Sequence, residues 1–158
     1  MTRFPAASLL PWGAAAAALT LAACATARGA DDPRALLERN RRLWASHRLV
    51  DYRYTVQVRC FCPGQVTRPV RVEVRGGRVA RRAYADSASA PDSSFADTWP
   101  EVDGLFANVA DALRRGAEEV RVEYDPRLGY PISIQIDYDR RVMDDETSIR
   151  ASALEPIR

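Results

Sequence analysis

The sequence predicts an α+β fold: an antiparallel sheet of about six strands with two helices on one face, in the order αβββ-αβββ. Three observations predict it. Two stretches, 33–48 and 99–115, repeat their apolar residues at helical spacing. Four short runs, at 52–62, 70–75, 120–124 and 132–136, alternate with period two, as strands buried on one side do, and 78–84 and 147–153 add two more strands. The runs Pro69-Val70-Arg71-Val72-Glu73-Val74 and Pro131-Ile132-Ser133-Ile134-Gln135-Ile136 each follow a strand and a turn, as in a possible tandem repeat. Alternation of this kind belongs to antiparallel sheets, because parallel strands are covered on both faces and read as unbroken apolar runs.

Residues 1–23 read as a signal peptide. Arg3 is followed by no charge until Arg28, and the segment between is apolar and rich in alanine. Pro5, Pro11 and the weak apolarity of alanine argue against a permanent span, which needs about 20 strongly apolar residues. Leu21-Ala22-Ala23-Cys24 closes the segment and resembles the lipobox of bacterial lipoproteins, whose cysteine thiol takes the lipid. Ordinary cleavage after Ala25-Thr26-Ala27 is the alternative and would release a soluble chain. On the first reading the protein is held to the membrane through lipid on Cys24, with residues 24–31 as a tether. A single domain then follows over 32–153, outside the cytoplasm, with a tail at 154–158. Ala25 stands where an inner-membrane retention signal would resemble an acid, which favours the outer membrane where the host has one.

The 23 Lys/Arg positions are all arginine, set against 21 acids. A nucleic-acid partner is not indicated, since that needs a basic surplus on one face. The absence of lysine removes Schiff-base chemistry. No cofactor motif of Walker, Rossmann or G-x-S-x-G type is present.

Asp32-Pro33 starts the first helix, with aspartate as N-cap and proline at the first helical position. Leu36, Leu37, Asn40, Leu43, Trp44 and His47 form its inner stripe. Tyr52, Tyr54, Val56, Val58, Cys60 and Cys62 alternate with Arg53, Thr55, Gln57, Arg59 and Phe61 in a first strand that Pro63-Gly64 ends. Val70 to Val74 makes a second, and Gly76-Gly77 a two-residue turn into a third over 78–84. Residues 85–97 read as a loop, and Thr98-Trp99-Pro100-Glu101 as a capping box opening the helix that Gly116 closes. Val120, Val122 and Tyr124 mark a fourth strand. The turn Asp125 to Gly129 leads to a fifth over 131–136, and 147–153 gives a sixth.

Cys60-Phe61-Cys62-Pro63, Asp103-Gly104-Leu105-Phe106, Tyr124-Asp125-Pro126-Arg127-Leu128-Gly129-Tyr130-Pro131 and Asp144-Asp145-Glu146 occur in this order, downstream of Trp44 and Tyr54. With these motifs the chain resembles the bacterial lipoprotein family filed as the domain of unknown function numbered six-one-seven-four, over roughly residues 36–153. The resemblance implies an exported, often lipidated protein, and no activity or catalytic residue.

Cys60 and Cys62 are the sharpest candidate site. With Cys24 consumed by lipid they are the only thiols left, and an exported protein favours a disulfide. In an extended strand their Cα atoms would be about 6.6 Å apart, at the limit for a bridge, so closure needs a bulge or turn at Phe61. Reduced cysteines packed as small apolar residues, and a redox or soft-metal pair, stay open beside the disulfide. Asp137, Asp139, Asp144, Asp145 and Glu146 gather around one connection; they fit solvated turn acids, with calcium as a weak alternative. His47, the one histidine, suits a helix C-terminus better than catalysis. The residues therefore point to a non-enzymatic envelope protein whose sheet face or edge binds a protein or ligand. The alternative is a thiol-redox or metal-handling protein using Cys60 and Cys62.

Overall fold

The computed structural model describes residues 32–142 and 145–157. The expected signal peptide, Cys24, the tether and Asp144 lie outside those residues.

Helix α1 spans Pro33–Ser46, and the Asp32 carboxylate accepts the Arg34 N–H at 3.1 Å. Proline costs nothing at this first position, where its missing N–H would have no helical partner. Strands β1 (Tyr52–Arg59), β2 (Val70–Arg75) and β3 (Arg78–Tyr84) follow as a meander. Gly76 and Gly77 turn β2 into β3 with φ of 57° and 75°, the left-handed pair that a tight hairpin demands. A 3-10 segment, Ser93–Thr98, leads to α2 (Val102–Arg115). A second meander, β4 (Glu119–Tyr124), β5 (Pro131–Asp137) and β6 (Glu146–Pro156), completes the predicted order.

All six strands form one antiparallel sheet in the order β3-β2-β1-β6-β5-β4. The two meanders meet where β1 pairs with β6. β2 and β5, which carry the two matching Pro-led runs, are each the middle strand of a meander. Val56, Val70, Val72, Val74, Ile134 and Ile149 turn inward on one face. Leu37 and Trp44 of α1, with Leu105, Phe106 and Val109 of α2, close over that face in one cluster. Each such side chain contributes about 1.5–3 kcal/mol on leaving water. The helices run antiparallel: Arg34 near the start of α1 donates to the Leu113 carbonyl near the end of α2 at 2.8 Å.

Three expectations need correction. The Thr98–Glu101 capping box does not form, because Thr98 ends the 3-10 segment and α2 starts only at Val102. Pro100 explains this, since a proline disfavours helical backbone in the residue before it. The α2 cap comes instead from β1: Tyr52 Oη accepts the Val102 N–H at 3.0 Å, and Tyr54 Oη donates to the Pro100 carbonyl. The first helix stops at Ser46, two residues early, as Arg48 takes a φ of 51° to turn the chain toward β1. Lastly, residues 154–156 are not a tail. A left-handed Ala153 (φ 53°) makes a bulge that lets β6 rejoin β1, with Glu155 opposite Arg53 and Pro156 opposite Tyr52.

Candidate functional site

The face of the sheet away from the helices carries polar side chains in rows, and the segment 63–68 lies over part of its β1 side, where Gln57 Nε2 donates to the Thr67 carbonyl at 3.1 Å. Arg59 of β1 stands opposite Ser148 of β6, Ser148 opposite Gln135 of β5, and Gln135 opposite Arg121 of β4. Neighbouring strands lie about 4.8 Å apart, so this row of two arginines around two hydrogen-bonding side chains spans about 14 Å. One step along the strands is a row of three acids: Glu146, Asp137 and Glu119. Like charges placed directly opposite one another repel, and the row needs compensation.

Compensation is uneven. Glu119 is paired with Arg121 and, at 3.0 Å, with Arg140. Asp137 is not so served: its Oδ1 is buried with no hydrogen-bond partner. Arg59 has no acidic partner among the described residues. Both rows line a cavity of about 630 Å³, together with Cys60 and Phe61. A second hollow of about 400 Å³, holding Gln57, Ser133, Arg150 and Ser152, continues along the same face.

Cys60 and Cys62 come together at the rim of the larger cavity. Their sulfurs lie at disulfide distance and their Cα atoms 5.3 Å apart. The contraction from the extended value comes from a tight turn at Phe61, closed by the Cys62 N–H donating to the Cys60 carbonyl at 2.9 Å. Phe61 at its apex is 84 % exposed.

The acidic group does not act as one set. Asp137 and Glu146 face the cavity, whereas Asp139 lies in the connection, gripped by Arg141 through two bonds of 2.9 Å. That guanidinium holds the Asp139 carboxyl below the usual carboxylate range. No group of three His, Cys, Asp or Glu side chains is arranged to hold a metal ion among the described residues. His47 caps the end of α1, and its Nε2 meets the Arg127 carbonyl at 3.0 Å, at the opposite end of the sheet from the cavity. Tyr52, Tyr54, Tyr124 and Tyr130 belong to the helix-side core, where burial pushes their hydroxyls up, that of Tyr124 to about 12.

A sequence family described as one of unknown function (DUF6174) matches residues 36–156. The chain belongs to this family. No curated protein and no solved structure matches it. The DUF6174 match runs from the first turn of α1 to the end of β6 and so takes in the whole sheet. Two of the motifs behind the resemblance are structural in this DUF6174 domain. Gly104 sits in the first turn of α2, where a Cβ would collide with the Pro100 ring. Asp125 accepts the N–H groups of Arg127 (2.9 Å) and Leu128 (2.6 Å), shaping the turn that rests on α1. The other two, Cys60–Pro63 and Asp145–Glu146, flank the cavity.

Proposed function

We propose that the protein is an exported, lipid-anchored cell-envelope protein. Its domain acts as a non-enzymatic binding module with the ligand on the open face of the sheet. The anchor reading is supported by the apolar segment that ends at Leu21-Ala22-Ala23-Cys24. A few lipid chains hold a protein stably on a bilayer without a spanning helix, and no helix of the described residues is long and apolar enough to cross one. The observation that carries the binding reading is the cavity that pairs an uncompensated Arg59 with the orphaned Asp137 Oδ1. Leaving a buried acceptor unpaired costs about 1–3 kcal/mol, which a ligand with an N–H or cationic donor would recover. A complementary ligand also offers an acceptor or anion to Arg59.

The test uses two variants in the expressing host. Cys24→Ala should move the protein from the membrane fraction to the soluble fraction, and its retention there would end the anchor reading. A photo-crosslinking residue at position 135 should capture an adduct that Arg59→Glu abolishes. Capture unaffected by that charge reversal would remove the cavity from the function.

A second reading is favoured by the placement of Cys60 and Cys62 at the cavity rim. In it, a partner dithiol is oxidised to its disulfide while the Cys60–Cys62 bond is reduced, and the partner's two protons end on the two cysteine thiols. Purified without reductant, the protein should then show no titratable thiol at either position and gain two on exposure to a dithiol. Two free thiols at the outset would remove both the bridge and this reading.

A further inference from the structure

We propose that the end of the domain where the chain enters α1 rests on the lipid bilayer, with Phe61 and Val142 in the interface. The proposal rests on the reading of Cys24 as the lipid-bearing residue. Topology fixes which end this is. Arg34, in the first turn of α1, bonds to Leu113 near the end of α2, and α2 feeds β4 at Glu119. Glu119 is opposite Asp137, Asp137 opposite Glu146, and Arg59 opposite Ser148 two residues on. The start of α1, the turn at Phe61 and the β5–β6 connection therefore share one pole. His47, the Arg127 turn and Val50 lie at the other.

Three large apolar side chains are exposed among the described residues, and the entry pole holds two of them. Phe61 is 84 % exposed and Val142 48 %. Of the charges around them, Arg114 pairs with Asp111, Arg140 with Glu119 and Arg141 with Asp139, while Arg59, which has no ion-pair partner among the described residues, is offset by Asp137 and Glu146 in the same cavity. A pole balanced in this way has no need of anionic lipid and suits a zwitterionic surface, with its aromatic tip at headgroup depth.

The covalent chain supplies the orientation. Residues 24–31 number eight, the same as β1. Fully extended they reach about 28 Å, little more than the length of that one strand. To turn the opposite pole to the bilayer, the segment would have to run at nearly full stretch beside the domain. With the entry pole down it need not stretch at all. A weak apolar contact suffices there, because a short tether makes the contact intramolecular, at an effective concentration on the order of millimolar.

The experiment takes the full protein, extracted with its own anchor and reconstituted into phosphatidylcholine vesicles, some with brominated acyl chains. Phe61→Trp, Val142→Trp and Val50→Trp are compared with the unsubstituted protein, whose Trp44 and Trp99 are buried and give the background. The added tryptophan should be blue-shifted and quenched at least twofold by bromolipid at positions 61 and 142, insensitive to salt, and unquenched at position 50. Mass analysis of the N-terminal peptide runs in parallel. A lipid-bearing Cys24 with solvent-like, unquenched emission at position 61 overturns the docking and leaves the anchor standing. An unmodified Cys24 overturns both, since nothing then holds this pole at the surface. All three substitutions are at exposed positions, and unchanged far-ultraviolet dichroism confirms that each variant is folded.

Discussion

Gly129→Ala should lower the unfolding free energy by roughly 3 kcal/mol, a drop in Tm of about 10–15 °C for a domain of this size. Gly129 closes the turn between β4 and β5, with its N–H donating to the Asp125 carbonyl at 2.8 Å and a φ of 80°. A side chain in that left-handed region costs about 1 kcal/mol by itself. The larger share comes from α1, which lies directly on the turn. A Cβ at Gly129 would meet the Asn40 carbonyl oxygen at 2.7 Å and the Leu43 Cβ at 3.0 Å. The first of these is helix backbone, so α1 must move, and with it Trp44, whose ring packs on Tyr52 and Tyr130. Gly77→Ala is the matched control. Its φ of 75° carries the same conformational cost, but nothing lies within 4 Å of the added carbon. Thermal melts of the two variants should differ by about 2 kcal/mol. Equal losses would mean that the turn does not bear on α1 as closely as described.

That turn illustrates what the sequence made legible. Asp125-Pro126-Arg127-Leu128-Gly129 announces itself through local chemistry: an aspartate that bonds its own backbone and a glycine free to turn left. The same holds for Asp32-Pro33 at α1, for Gly76-Gly77 and for the alternation in β1, β2, β4 and β5, because each depends on neighbours within a few residues. Features set by distant residues were hidden. The α2 cap is the sharpest case, since Thr98 and Glu101 have the right spacing for a box, yet Tyr52 supplies the acceptor from 50 residues away. The cavity is another. Period two says that Arg59, Gln135, Ser148 and Arg121 face the same way, but only the pairing of β1 with β6 puts them in one row. Asp137 was legible as one of a group of acids, and its isolation as the orphaned one was not, because that depends on which acids the arginines reach.

Alkaline pH should destabilise the domain steeply through its buried tyrosines, and the two that cap α2 should carry about half of the effect. Burial raises the hydroxyl pKa of both Tyr52 and Tyr54 well above the usual value. In the unfolded chain both titrate near 10. Between pH 10 and the raised folded values, the unfolded state therefore sheds protons that the folded state retains. Fewer protons bound in the unfolded state means that stability falls as pH rises, by up to about 1.4 kcal/mol per pH unit for each group. Below pH 10 the contribution is fully present and the curve is flat. Tyr52→Phe leaves the Val102 N–H at the helix start without its acceptor, and Tyr54→Phe leaves the Pro100 carbonyl without its donor. Each should cost about 1–2 kcal/mol at pH 7, and the double variant about 2–4. The double variant should also lose about half of the slope above pH 10, the remainder belonging to Tyr124 and Tyr130, so that its stability curve approaches that of the unsubstituted protein in strong alkali. Urea unfolding at intervals from pH 7 to pH 12 measures both effects. Parallel curves over the whole range would show that the hydroxyls hold no raised pKa and that the cap at Val102 and Pro100 is not made by tyrosine.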